Sequence, residues 1–136
     1  MTALTADRNT TNRAGTDFEF PVAANTKIYA GAIVCIDNTK ALATKGATAT
    51  TLKSVGIAQA GADNTGGADG AMRVRVRRGL WSLANSGAAD QLTLSDVGAD
   101  CYVVDDQTVA KTSGSNTRSV AGKVRDVDAS GVWVEF

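Results

Sequence analysis

The sequence predicts an all-β domain, a small sandwich or barrel, on three observations. No stretch of ten or more residues keeps a 3.6-residue apolar period, so no long helix is expected. Short apolar or alternating segments recur every 8–12 residues or so, separated by Gly, Asn, Asp and Ser. The chain holds 14 glycines and a single proline, which suits tight turns between short strands. Its 136 residues are enough for one domain with a core of its own.

The elements follow in order. Residues 1–16, "MTALTADRNTTNRAGT", are polar and lack periodicity, and read as an extended arm that is either disordered or ordered only against a partner. The domain proper is expected over 17–136. "DFEFPV" alternates, with Phe18 and Phe20 on one face, and Pro21 ends that strand or sets it at an edge. "KIYAGAIVCID" is strand-like on both sides of a bend at Gly31, and "ALAT" and "SVGIAQA" are short strands. "GADNTGGADG" reads as a turn-rich break. "MRVRVRRGLWSLAN" follows, divided at Gly79. "SGAADQ" is a loop, and "TLSDVGAD" is one helical turn capped by Thr93 or Ser95. "CYVVDD", "TVAK", "RSVAGKVRDVD" and "GVWVEF" are the remaining strands, with turns at "DDQ", "SGSN" and "ASG".

Composition excludes several functions. Histidine is absent, which removes the commonest general base and metal ligand and any Ser-His-Asp or Cys-His arrangement. No enzyme, cofactor or metal site is expected. Lys plus Arg equals Asp plus Glu at 14 each, so the chain has none of the basic excess that duplex DNA binding calls for. The acids Asp96, Asp100, Asp105, Asp106, Asp126 and Asp128 leave room for an opposing acidic patch. Cys35 and Cys101 lie in strand-like segments and read as two buried free thiols ahead of a disulfide, since nothing in the sequence places them within bonding range. No apolar h-region opens the chain, and no apolar run approaches the roughly 20 residues of a membrane helix, so no membrane partner is expected.

Three local motifs are turns. "DVDASG" resembles the start of a calcium loop, but the chain gives no acid at the twelfth loop position and the flanks are strand-like. "VDDQ" places its adjacent carboxylates on opposite strand faces or in a hairpin turn. "NTGGADG" lacks the G-K-[ST] ending of a phosphate loop.

The stretch 72–85 carries the functional question. Strand alternation puts Arg73, Arg75 and Arg77 on one face and Met72, Val74 and Val76 on the other. Arg78 would then point with the valines, which an unpaired arginine almost never does, so alternation breaks near Gly79. The stripe is either a solvated strand face or a protein contact through Arg–carboxylate pairs. A nucleic-acid grip has least support, since neither net charge nor interleaved aromatics favours it. Trp81 and Trp133 are the largest core members or lie at an interface.

Several ordered strings resemble the capsid cement (decoration) proteins of tailed bacteriophages: "PVAANTKIYAGAIVCID", "TTLKSVGIAQAGADNTGGADGAMRVRVRRG" and "LTLSDVGADCYVVDDQTVAKTSGSNTRSVAGKVRDVDASGVWV". "LTADRNT" near the start belongs with them, and the resemblance covers nearly the whole chain. It implies a jelly-roll-like sandwich or barrel with a terminal arm. It also implies a structural virion protein, made in the bacterial cytoplasm, that sits on the outer capsid surface and bridges major capsid protein subunits. The implied partners are that capsid protein and further copies of the chain, a homodimer ahead of a trimer, with no direct nucleic-acid contact. Leu4, Arg8, Arg13, Arg73, Arg75, Arg77, Arg78 and Trp81 are the candidate protein–protein contacts. The alternative is another virion surface module, such as a carbohydrate-binding adhesion protein, which would expose Tyr29, Trp81, Tyr102 or Trp133 as stacking platforms.

Overall fold

The computed structural model describes residues 2–136, and Met1, the first residue of the expected arm, lies outside them. Among the described residues the regular structure is strand, apart from two single-turn 3-10 segments at Ala88–Asp90 and Leu94–Asp96. The all-β expectation therefore holds, as a sheet set against a barrel.

The strands are β1 (Asp17–Pro21), β2 (Lys27–Ile28), β3 (Ile33–Asp37), β4 (Leu42–Lys45), β5 (Leu52–Ala58), β6 (Ala62–Asp63), β7 (Arg73–Arg77), β8 (Leu80–Asn85), β9 (Asp100–Val103), β10 (Thr108–Ala110), β11 (Val120–Asp128) and β12 (Gly131–Glu135). The first half of the chain builds an antiparallel sheet in the order β1-β7-β5-β3-β4. A bridge from Val22 to Ala43 draws the two edges of this sheet together, with the Ala23 N–H donating to the Ala43 carbonyl at 2.9 Å. The β2–β6 ribbon forms a separate pair. The second half closes a five-stranded barrel in the order β10-β8-β12-β11-β9, with one parallel pair, β8 with β10. Closure removes the unpaired edges that an open sheet of this length would expose.

Strand alternation divides the interior in two. Ile33, Cys35, Leu52 and Ile57 on one face of the sheet pack with Leu83, Val103, Val109, Val124, Val132 and Val134 from the barrel. Val34, Ala43, Ala58, Val74 and Val76 on the other face pack with Val22 and Ile28. The intervening strands read as near-continuous apolar runs because both of their faces are covered. Polar links fasten the two halves: the Ile33 N–H donates to the Asp106 carbonyl at 2.7 Å, and the Thr48 hydroxyl to the Val104 carbonyl at 2.8 Å.

Two glycines shape this geometry. Gly79, at φ +139°, lets the chain turn from β7 in the sheet to β8 in the barrel, and places Arg78 outside either strand. Gly122 faces β12 so closely that a Cβ there would overlap the Glu135 carbonyl oxygen. Two bulges in β11, after Val120 and after Val124, bend that strand around the narrow barrel.

The local expectations mostly hold. Gly31 is at φ +86° between β2 and β3, and Thr93 caps the 94–96 turn in a reciprocal capping box with Asp96. The Asp105 carboxylate accepts from the Gln107 and Thr108 N–H groups, and Asp128 accepts from Ser130 N–H, so both motifs are turns. The structure departs in three places. "GADNTGGADG" contains the short strand β6 and the buried Asn64, and "SGAADQ" contains a 3-10 turn. Met72 does not share the buried face of Val74 and Val76; it precedes β7 and is exposed, because the chain is still leaving the loop there.

Candidate interaction surface

β7 obeys period-two alternation: Val74 and Val76 are buried, and Arg73, Arg75 and Arg77 are exposed. Its neighbour β1 alternates in the same register. Asp17 lies opposite Arg77, Glu19 opposite Arg75 and Pro21 opposite Arg73. Acids on β1 thus share a face with the arginines on β7. The Arg77 Nε donates to Asp17 Oδ1 at 2.8 Å. Arg73 reaches diagonally, donating to the Glu19 carbonyl at 3.0 Å with its Nε 3.8 Å from the Glu19 carboxylate. Arg75, between them, has no carboxylate within ion-pair distance among the described residues. The hydrogen bond from Arg77 holds the Asp17 carboxyl below its ordinary value, and the charges of Arg77 and Arg75 add to this. These pairs are exposed to water, which screens them, so they orient the side chains more than they stabilise the fold.

Beside this face lies a concavity of about 400 Å³, whose charged and polar lining is Arg13, Asp17, Glu19, Gln59, Arg73 and Arg75. Arg13 belongs to the arm. Its guanidinium stands 5.0 Å from the Phe18 ring centroid and tethers the root of the arm there. Residues 2–16 hold neither strand nor helix and are exposed throughout. Leu4 is 72% exposed, and Arg8 has no ion-pair partner among the described residues.

A second, smaller groove of about 260 Å³ lies near the Gly79 turn, lined by Phe18, Phe20, Ser54, Val55, Arg78 and Phe136. Phe18 and Phe20 stack with centroids 6.0 Å apart, as the alternation of "DFEF" predicts. The Arg78 N–H donates to the Thr16 carbonyl at 2.8 Å, which fixes its backbone at the rim while its side chain makes no ion pair among the described residues.

The other singled-out residues are placed elsewhere. Trp81 packs half-buried against the barrel core, and its indole N–H is enclosed without a hydrogen-bond partner in the structure described. Trp133 donates to Asp128 Oδ2 at 2.9 Å. Tyr102 is half-buried, and Tyr29, at 60% exposed, stands furthest out of these aromatics, with the Lys27 ammonium 5.0 Å from its ring centroid. Cys35 and Cys101 are buried free thiols, each pushed up to about 11 mainly by burial. Much of the acidic side of the C-terminal half is locally engaged: Asp96 pairs with Lys111 and Asp100 with Lys123, while Asp105, Asp126 and Asp128 accept nearby backbone N–H groups.

The structure therefore brings together Arg13, Arg73 and Arg75 around one concavity, with Arg77 on the same strand face but outside its lining, and separates them from Arg78, Leu4, Arg8 and Trp81. Asp17 and Glu19 are the members that sequence reasoning missed. Their shared face was visible in the alternation of "DFEF", but nothing local pairs β1 with β7. Compared with protein-family models, with curated proteins and with solved structures, the chain has no match.

Proposed function

We propose that this chain is a capsid cement protein: it binds the outer surface of a phage shell and stabilises it by bridging major capsid protein subunits. The observation that carries the reading is the arm. Residues 2–16 stand exposed beside a strand face whose central arginine, Arg75, has no carboxylate within ion-pair distance among the described residues. An extended polar segment of this kind gains its contacts by lying along another protein. Arg75 offers a bidentate donor to a carboxylate there, while Arg73 and Arg77 are already held by β1. The string resemblance supplies the identity of the partner. A rigid all-β body with a modest contact area suits a lattice, where many copies reinforce one another.

Co-sedimentation of the purified chain with emptied shells tests this. The intact chain is expected to saturate the shells and raise their resistance to heat. Deleting 2–14 is expected to leave a folded domain that binds more weakly, and Arg75→Glu to lower occupancy. Absence of binding by the intact chain would overturn the proposal; unchanged binding by both variants would remove the arm and Arg75 from it.

A further inference from the structure

The concavity beside β1 and β7 holds two cations that the fold leaves without a counter-charge. Arg13 and Arg75 both line it, and neither has a carboxylate within ion-pair distance among the described residues. Nor does either donate a side-chain hydrogen bond there: the arginines that do are Arg73, Arg77, Arg118 and Arg125. The acids of the same lining are in the opposite condition. Asp17 is engaged by Arg77 and Glu19 by Arg73. Each acid still keeps one carboxylate oxygen outside those ion pairs, Asp17 Oδ2 and Glu19 Oε1. A cavity of about 400 Å³ has the size that takes a small organic ligand or a short stretch of chain, more than a single ion fills.

We infer that this concavity binds an extended acidic peptide, with one carboxylate on Arg75 and another on Arg13. The two guanidiniums come from separate elements, a strand and the root of the arm, and each presents a fork that a carboxylate fills. A peptide also brings backbone N–H groups, which the remaining oxygens of Asp17 and Glu19 can accept. A nucleic-acid backbone brings phosphate acceptors without such donors, and would meet those two carboxylates as like charges. A strand-like peptide with acids at alternate positions presents them on one face, as β7 presents its arginines. Arg13 already rests 5.0 Å from the Phe18 ring centroid, so an occupant that pairs with it also fixes the arm root against the sheet. The inference deepens the proposed shell contact, on which it rests for the source of the peptide: the shell protein has to present an exposed acidic segment.

The probe is a short alternating Glu-Ser peptide carrying a fluorophore, set against its Gln-Ser counterpart and read by fluorescence anisotropy. The purified chain is expected to bind the acidic peptide, less as salt is raised, and not the Gln-Ser peptide. Arg13→Gln and Arg75→Gln are each expected to weaken binding by about fivefold. Lys45→Gln removes an exposed cation of β4 outside the lining and is expected to change nothing. Circular dichroism checks that Arg75→Gln keeps the fold. Limited trypsin digestion reads the arm directly, since Arg8 and Arg13 are both exposed cleavage sites. Bound peptide is expected to slow cleavage after Arg13 and not after Arg8, and Arg75→Gln to remove that protection. No binding, equal binding of the two peptides, unchanged affinity in either arginine variant, or equal slowing at both arm sites would overturn the inference. Displacement of the peptide by inorganic phosphate at equal concentration of charge would also overturn it, and assign the cavity to a free oxyanion. A chain that binds shells and ignores the peptide would overturn this inference alone; one that binds the peptide and ignores shells would overturn the capsid proposal alone.

Discussion

Asn64→Ala tests how the loop between β5 and β7 is held. Asn64 is 3% exposed, and its amide Nδ2 donates to the Ala23 carbonyl at 3.0 Å and the Ala68 carbonyl at 2.9 Å, with the Val22 carbonyl at 3.4 Å. It therefore ties the segment after β1 to the loop after β6. Alanine removes both donors. The Ala68 carbonyl lies in an exposed stretch where water can replace the bond, so that loss is about 1 kcal/mol. Ala23 is buried, and its deprived carbonyl costs a further 1–2 kcal/mol or so. The expected loss is about 2–3 kcal/mol. Urea unfolding followed by circular dichroism would show it as a midpoint lowered by about 1 M or more at unchanged slope. Asn64→Asp is expected to lose more than Asn64→Ala at neutral pH, because a carboxylate donates nothing and its charge faces carbonyl oxygens. That excess shrinks as pH falls, since protonation favours the new side chain in the folded state and restores one donor. A loss below about 0.5 kcal/mol for Asn64→Ala would refute the reasoning, as it would equal an ordinary surface change.

Three further outcomes are expected. Gly122→Ala drives a methyl into the Glu135 carbonyl across the β11–β12 pair and is expected to cost about 1–3 kcal/mol by thermal or urea unfolding. Cys35 and Cys101, at about 11, carry only about one thiolate in a thousand at pH 8, so both are expected to react with a thiol reagent only on unfolding. Asp17, Asp90, Asp96 and Asp128 are all held below 3.8, by hydrogen bonds led by those from Arg77, Thr112, the Thr93 N–H and Trp133 respectively. Their stabilisation is complete above 3.8 and is lost as pH falls through that value to the lower folded values. An acid titration of unfolding free energy is expected to be flat near neutrality and to fall below about pH 4.

What was legible in the sequence was local. The alternation of "RVRVR" placed Val74 and Val76 inside and three arginines outside, and the misfit of Arg78 located the turn that Gly79 makes between sheet and barrel. Turn chemistry at Asp105 and Asp128, and the Thr93 cap, followed from residue type and spacing. What was not legible was pairing across distance. β1 meets β7 across some 60 residues, so the attachment of Arg77 to Asp17 and of Arg73 to Glu19 has no local signal. β2 and β6 are two residues each, too short for any period, and barrel closure through the parallel β8–β10 pair depends on the whole second half. The groove beside Arg78 gathers residues from β1, β5 and the chain end, and becomes visible only once those pairings exist.

The proposed role makes this chain a structural part of a virion. Quantitative mass spectrometry of purified phage particles tests it most directly. The chain is expected at a copy number close to that of the major capsid protein, removable from the particle surface without loss of the shell subunits. Particles that contain the major capsid protein but not this chain would contradict it.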